Sequence, residues 1–216
     1  MSRTRLICWI ALVAAVSALE YSARFSSATT KSTQNDVYSY SAFAYGLIFY
    51  GLIFGVVLAI AFDHTDLFAL RRPGRRAAQL AAAVLVATYL LELAVAELPI
   101  RNPGREQGLT PTHWEPSHAG AFAANVVLFT IVAPVIEELT FRGVGQSLLR
   151  FTGRWPSILL VGVAFGLWHG LVQALLVLIP FGIGLAYLRE RTRSVIPGMV
   201  VHGLFNGAAL AVAVLS

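Results

Sequence analysis

An all-α, polytopic transmembrane bundle of about seven to eight helices is the fold class this sequence predicts, on three observations. Of its 216 residues, 57% are hydrophobic and only 12% charged, where a soluble domain carries about a quarter charged. Seven apolar stretches stand in succession, each close to the roughly 20 residues that cross a bilayer. The period-two alternation of a barrel wall is missing, and an open strand edge in lipid leaves backbone groups unpaired, so the stretches are read as helices.

The first stretch, residues 6–21, follows Arg3 and Arg5 and holds the single cysteine, Cys8. An intrachain disulfide is therefore impossible, and the thiol reads as a small buried hydrophobe. The basic start, the apolar core and the small residues Val16, Ser17 and Ala18 also imitate a cleavable signal peptide, although the topology works better with the segment retained. Residues 42–62 form the second stretch, where Gly51 and Gly55 stand at a spacing that lets helices pack closely. Residues 77–98 form the third and 120–139 the fourth, with a further partial helix expected if the fourth runs past its charges toward Leu149. The run 156–188 is too long for one span and short for two, which predicts a hairpin of 156–175 and 176–188 turning near Ile179 and Pro180. Residues 195–215 complete the series, and with no long linker between stretches, residues 1–216 are read as one integral membrane domain.

A formal net charge of +5 and an isoelectric point near 9.8 suit nucleic acid only when basic residues form a stripe on a soluble fold. Here the arginines sit between apolar runs, so the expected partner is the lipid bilayer and not nucleic acid. Arg3 and Arg5, Arg71 to Arg76, Arg150 and Arg154, and Arg189 to Arg193 fall on one side if the spans alternate, leaving Arg24, Lys31, Arg101 and Arg105 opposite. By the positive-inside rule the amino terminus is cytoplasmic and the carboxyl terminus outside. The expected setting is the plasma (inner) membrane of a prokaryote.

Charges inside such a chain need a reason, because a charge near the bilayer centre costs about 2.5 kcal/mol or more. Glu137, Glu138 and Arg142 lie at the end of the fourth stretch, with Glu138 and Arg142 at the favourable i,i+4 spacing. Glu137 is about 100° away round the helix and needs another partner or water. Alternatively, all three snorkel to the interface that Arg150 and Arg154 mark. Phe165 and His169 share one face of the fifth stretch, and His202 and Asn206 one face of the seventh. Polar groups on three spans satisfy one another only by converging. Gly162, Gly166 and Gly170, and likewise Gly203 and Gly207, form ridges that permit close approach.

The set permits a definite chemistry. Glu137 with His169 can hold and deprotonate a water, while His202 and Asn206 can donate hydrogen bonds to the oxyanion formed when that water attacks a peptide carbonyl. Gly143, Gly145 and Ser147 make no nucleophile elbow. A zinc variant with Glu137, His169 and His202 as ligands stays open, although the H-E-x-x-H spacing is missing. Glu92, Glu97 and Asn125 are further candidates for lining the same cavity, Glu97 also reading as a snorkelling acid and Asn125 as an inter-helix hydrogen-bonding residue. Trp114 reads as an interfacial anchor, and His64, His113 and His118 as loop residues.

Glu137-Glu138-x-x-x-Arg142, Phe165-x-x-x-His169 and His202-x-x-x-Asn206, in that order on successive apolar stretches, resemble the CPBP (Abi) family of intramembrane proteases. That family includes the CaaX prenyl endopeptidases and bacteriocin-processing or immunity proteins. The resemblance covers residues 120–210, the expected catalytic core. It implies a glutamate-dependent endopeptidase in which Glu137 and His169 activate water, His202 and Asn206 stabilise the oxyanion, and Glu138, Arg142 and Phe165 support the site. It also implies a membrane-anchored protein or peptide as substrate and no required cofactor, zinc being the alternative. The competing expectation is a non-catalytic immunity factor or a proton-coupled carrier using the same polar cluster.

Overall fold

A glycine or a left-handed residue ends or separates several of the apolar helices. The computed structural model describes residues 3–26, 36–98 and 114–215; Lys31, Arg101, Arg105 and His113 lie outside them. Seven helices and no strand occur among the described residues: α1 Arg3–Ser26, α2 Tyr40–Ile60, α3 Ala77–Ala96, α4 Pro116–Thr152, α5 Arg154–Trp168, α6 Leu175–Thr192 and α7 Ile196–Leu215. Of these, α1 to α4 are long and apolar enough to cross a membrane. Ser39 caps α2 by accepting from the Ala42 amide, Gly153 at φ 101° separates α4 from α5, and Arg193 at φ 56° ends α6.

α4 is the axis of the bundle and is buried almost all round from Ile136 to Leu149. It runs 37 residues without a break, so the partial helix expected beyond the charges is part of α4 itself. Two wide π segments, Leu128–Val132 and Leu139–Gly145, interrupt its α geometry. In the first, the Ala133 amide bonds to the Leu128 carbonyl five residues back. The next amide in that register belongs to Pro134, which has none. Phe129 is thereby left with a free carbonyl, and the side-chain amide of Asn206 on α7 donates to it at 2.9 Å. Gly203 brings α7 against the neighbouring Thr130 carbonyl. In the second π segment the Trp9 indole of α1 donates to the Thr140 carbonyl at 2.9 Å.

The hairpin expected near Ile179 and Pro180 turns earlier. Gly170 at φ 64° follows the end of α5, and Pro180 lies inside α6. Packing explains the shift: a Cβ at Gly162 meets the Ile183 backbone nitrogen at 2.8 Å, and one at Gly182 meets the Gly162 carbonyl at 2.8 Å. The two backbones are in contact over a stretch that includes Ile179, so that stretch must be helical to pack. Gly166 continues the ridge against Ile179, whereas Gly170 abuts Glu20 of α1.

Two other expectations are corrected. Gly51 and Gly55 face open space, because their side of α2 is on the outside of the bundle, where lipid rather than a helix is the neighbour. Cys8 is exposed, since Trp9, Val13 and Val16 supply the buried stripe of α1 and Cys8 stands one residue off it. Arg3 and Arg5 belong to α1 itself rather than preceding it.

The arginines do gather at one end. Arg5 donates to the Phe62 carbonyl just after α2, Ser147 of α4 to Leu67 in the same loop, and Ser194 before α7 to Arg71. Arg150 at the end of α4 pairs with Glu190 on α6 at 3.5 Å.

Candidate active site

The three acidic and basic residues of α4 lie in its interior rather than at its end, and they are not at a surface. Glu137, Glu138 and Arg142 are 3%, 0% and 0% exposed, which removes the snorkelling alternative. Depth follows from connectivity: α4 and α5 meet at Gly153, and Glu137 precedes Thr152 by the same fifteen residues by which His169 follows Arg154. Antiparallel packing therefore brings them level.

Each carboxylate oxygen of Glu137 has a different neighbourhood. Oε1 accepts from the Tyr50 hydroxyl of α2 at 2.7 Å. Oε2 is buried and has no hydrogen-bond partner, yet it lies 3.7 Å from His169 Nε2 and 3.8 Å from His202 Nε2. Those separations exceed a direct hydrogen bond and are short enough for a single water to bridge carboxylate and imidazole. His169 caps α5 and remains partly exposed, with 22% of its side chain accessible, so the cluster has an open side there.

Second partners fix the rings. His169 Nδ1 lies 2.8 Å from the Phe165 carbonyl, which can only accept, so Nδ1 carries the proton and a neutral ring turns a lone pair toward Glu137. His202 Nδ1 lies 3.4 Å from Glu138 Oε1, where the same reasoning makes Nδ1 the donor. Glu138 Oε1 also accepts from Arg142 at 2.7 Å, and Arg142 donates in addition to the Gly182 carbonyl at 2.9 Å. The guanidinium stacks over the Phe165 ring at 4.2 Å, and the same ring meets His169 and His202 edge-on at 4.7 and 5.4 Å. Phe165 is thus a spacer that sets the two imidazoles and the Glu138–Arg142 pair around it.

Of the site residues expected from sequence, Glu137, Glu138, Arg142, Phe165, His169 and His202 converge. Asn206 shares the His202 face, but its amide is engaged with Phe129. Glu92 is exposed on α3 and Glu97 is exposed just past its end, so neither lines the cluster. Asn125 is buried within 3.1 Å of the Val37, Ser39 and Ala121 carbonyls, holding the start of α2 to α4. Tyr50 is the residue that spacing did not reveal. Among the described residues no three His, Cys, Asp or Glu side chains are arranged to hold a metal ion. The zinc set Glu137, His169 and His202 is brought together at 3.7 and 3.8 Å, somewhat wider than the roughly 3.4 Å between ligands of a tetrahedral zinc.

No curated protein and no solved structure matches the chain. One family model does match, that of the type II CAAX prenyl endopeptidase Rce1-like proteins, over residues 119–208. The matched segment holds every converging residue except Tyr50, nearly all of α4, all of α5 and α6, and α7 as far as residue 208. Residues 119–208 are thus similar to the Rce1-like CAAX prenyl endopeptidases, and the match takes in all three motifs on which the resemblance to the CPBP proteases rests.

Proposed function

We propose that the protein is an intramembrane endopeptidase that hydrolyses a peptide bond of a membrane-anchored protein or peptide, using water activated by Glu137 and His169. The observation that carries this reading is Glu137 Oε2, a buried acceptor without a donor that faces both imidazoles. A water there donates one proton to Oε2 and directs a lone pair at the substrate carbonyl. Glu137 takes the proton as the bond to carbon forms, and the His169 lone pair accepts the water's other O–H and orients it. The proton then passes to the leaving amine as the carbon–nitrogen bond breaks.

His202, with Nδ1 3.4 Å from Glu138 and Nε2 3.8 Å from Glu137, is the ring placed to offer an N–H at Nε2 to the developing oxyanion. Asn206 has a second N–H beyond the one given to Phe129, and that N–H completes the oxyanion site. No metal is needed for these steps. The arginine-rich end is assigned to the cytoplasm by the positive-inside rule.

The test is a cleavage assay on membrane-anchored peptides with purified protein, run with and without a chelator alongside metal analysis. Glu137→Gln is expected to cut turnover by about 10²–10⁴-fold in a protein that still elutes as a folded species. Unchanged turnover in that variant overturns the reading, and loss of activity on chelation restored by zinc replaces it with the metal version.

A further inference from the structure

Away from the catalytic cluster, at the arginine-rich end of the bundle, a cleft of about 220 Å³ opens between the loop after α2, the end of α4 and the end of α6. Its walls include Arg71, Arg150, Arg189 and Arg193, together with Ser147 and Asp66. Arg189 is only 5% exposed, an unusual state for a guanidinium, and its Nε has no hydrogen-bond partner. Ser147 holds it in place: the hydroxyl accepts from Arg189 at 2.7 Å and donates to the Leu67 carbonyl at 3.0 Å.

The charge around this cleft does not balance. Arg71 and Arg150 are both near enough to repel Arg189. Against the four guanidiniums stand two carboxylates, Asp66 in the wall and Glu190, which lies 3.5 Å from Arg150 and 3.6 Å from Arg189. An excess of two positive charges in a recess with a fixed, desolvated arginine suits a phosphate group, whose several oxygens can take forked donors from more than one side. We propose that the cleft binds a phosphate group, in a phospholipid headgroup or as free phosphate. Large apolar side chains flank it and favour the lipid source: Leu70 beside Arg71 is 58% exposed and Phe151 beside Arg150 is 64% exposed, with Trp155 at 57% close by in sequence. Basic recesses between helices at a membrane surface with apolar neighbours hold headgroup and acyl chain at once. This inference does not depend on the hydrolytic reading.

The experiment titrates the full-length protein in non-ionic detergent with short-chain phosphatidic acid, short-chain phosphatidylcholine and inorganic phosphate, following tryptophan fluorescence. Saturable binding of phosphatidic acid, and not of phosphatidylcholine, is expected. Arg71→Gln with Arg193→Gln, both at exposed positions, is expected to weaken it by about thirtyfold while the thermal midpoint without ligand stays unchanged. If inorganic phosphate binds as tightly and with the same dependence on the arginines, the site stands and its ligand is free phosphate. The proposal falls if neither anion saturates, if phosphatidylcholine matches phosphatidic acid, or if the double variant binds like the parent.

Discussion

Tyr50 and Arg142 both touch the buried polar cluster, but their removal is expected to show in different measurements. The phenol holds Oε1 of Glu137 at 2.7 Å and so turns Oε2 toward the imidazoles. Tyr50→Phe keeps the ring and its packing while deleting a hydrogen bond to a charged group, worth about 1.5–3 kcal/mol. Turnover should fall about tenfold or more with little change in KM, and the thermal midpoint should barely move; a normal kcat would mean that packing alone orients the carboxylate. Arg142→Met leaves Glu138 buried without its cation, at a cost of about 3–5 kcal/mol in stability, so the variant should lose folded yield in detergent, and Glu138→Gln added to it should recover much of that yield. Glu137, His169 and His202 were legible in the sequence because ionisable residues on apolar stretches are costly and need one another. Tyr50 was not, because a tyrosine in an apolar helix is ordinary and its partner lies 87 residues away.

Among the helices, the close-packed pair α5 and α6 offers the sharpest contrast. Gly162→Ala sets a methyl against backbone atoms of Ile183, which cannot rotate away, so about 1–3 kcal/mol of destabilisation is expected. Gly51→Ala and Gly55→Ala meet open space and should be neutral or slightly stabilising, since alanine is the better helix former. Thermal unfolding of the three variants in one detergent checks the order, and equal midpoints would mean that α5 and α6 are not in backbone contact. Helix number and order were legible from the succession of apolar stretches, yet two boundaries were not. Pro180 reads as a turn until the facing glycines demand a helix through it. The charges of α4 read as a helix end because hydropathy falls there, whereas the surrounding helices bury and pair them. The π segments leave no compositional trace either; only Pro134, which cannot supply the next amide, explains afterwards why Asn206 is drawn to Phe129.

Over the whole molecule, the position of the cluster relative to the two membrane faces decides from which side a substrate tail is read. Three ties bind the arginine-bearing segments to one end: Arg5 to Phe62, Ser194 to Arg71 and Arg150 to Glu190. Lipid insertion favours that end in the cytoplasm. Because Cys8 is the single cysteine, orientation can be read from one introduced thiol at a time in a Cys8→Ser background. Leu70 and Ser26 are both exposed and belong to opposite ends of the bundle, Ser26 closing α1 and Leu70 lying among the arginines. Ser26→Cys should react with a membrane-impermeant maleimide on intact cells, and Leu70→Cys only after permeabilisation. Exchange of the two patterns would invert the molecule, and Glu137 and His169, level with each other in neighbouring antiparallel helices, would then serve substrates approaching from the other compartment. Labelling of both sites on intact cells would mean that the population inserts both ways and that the arginine bias does not set its orientation.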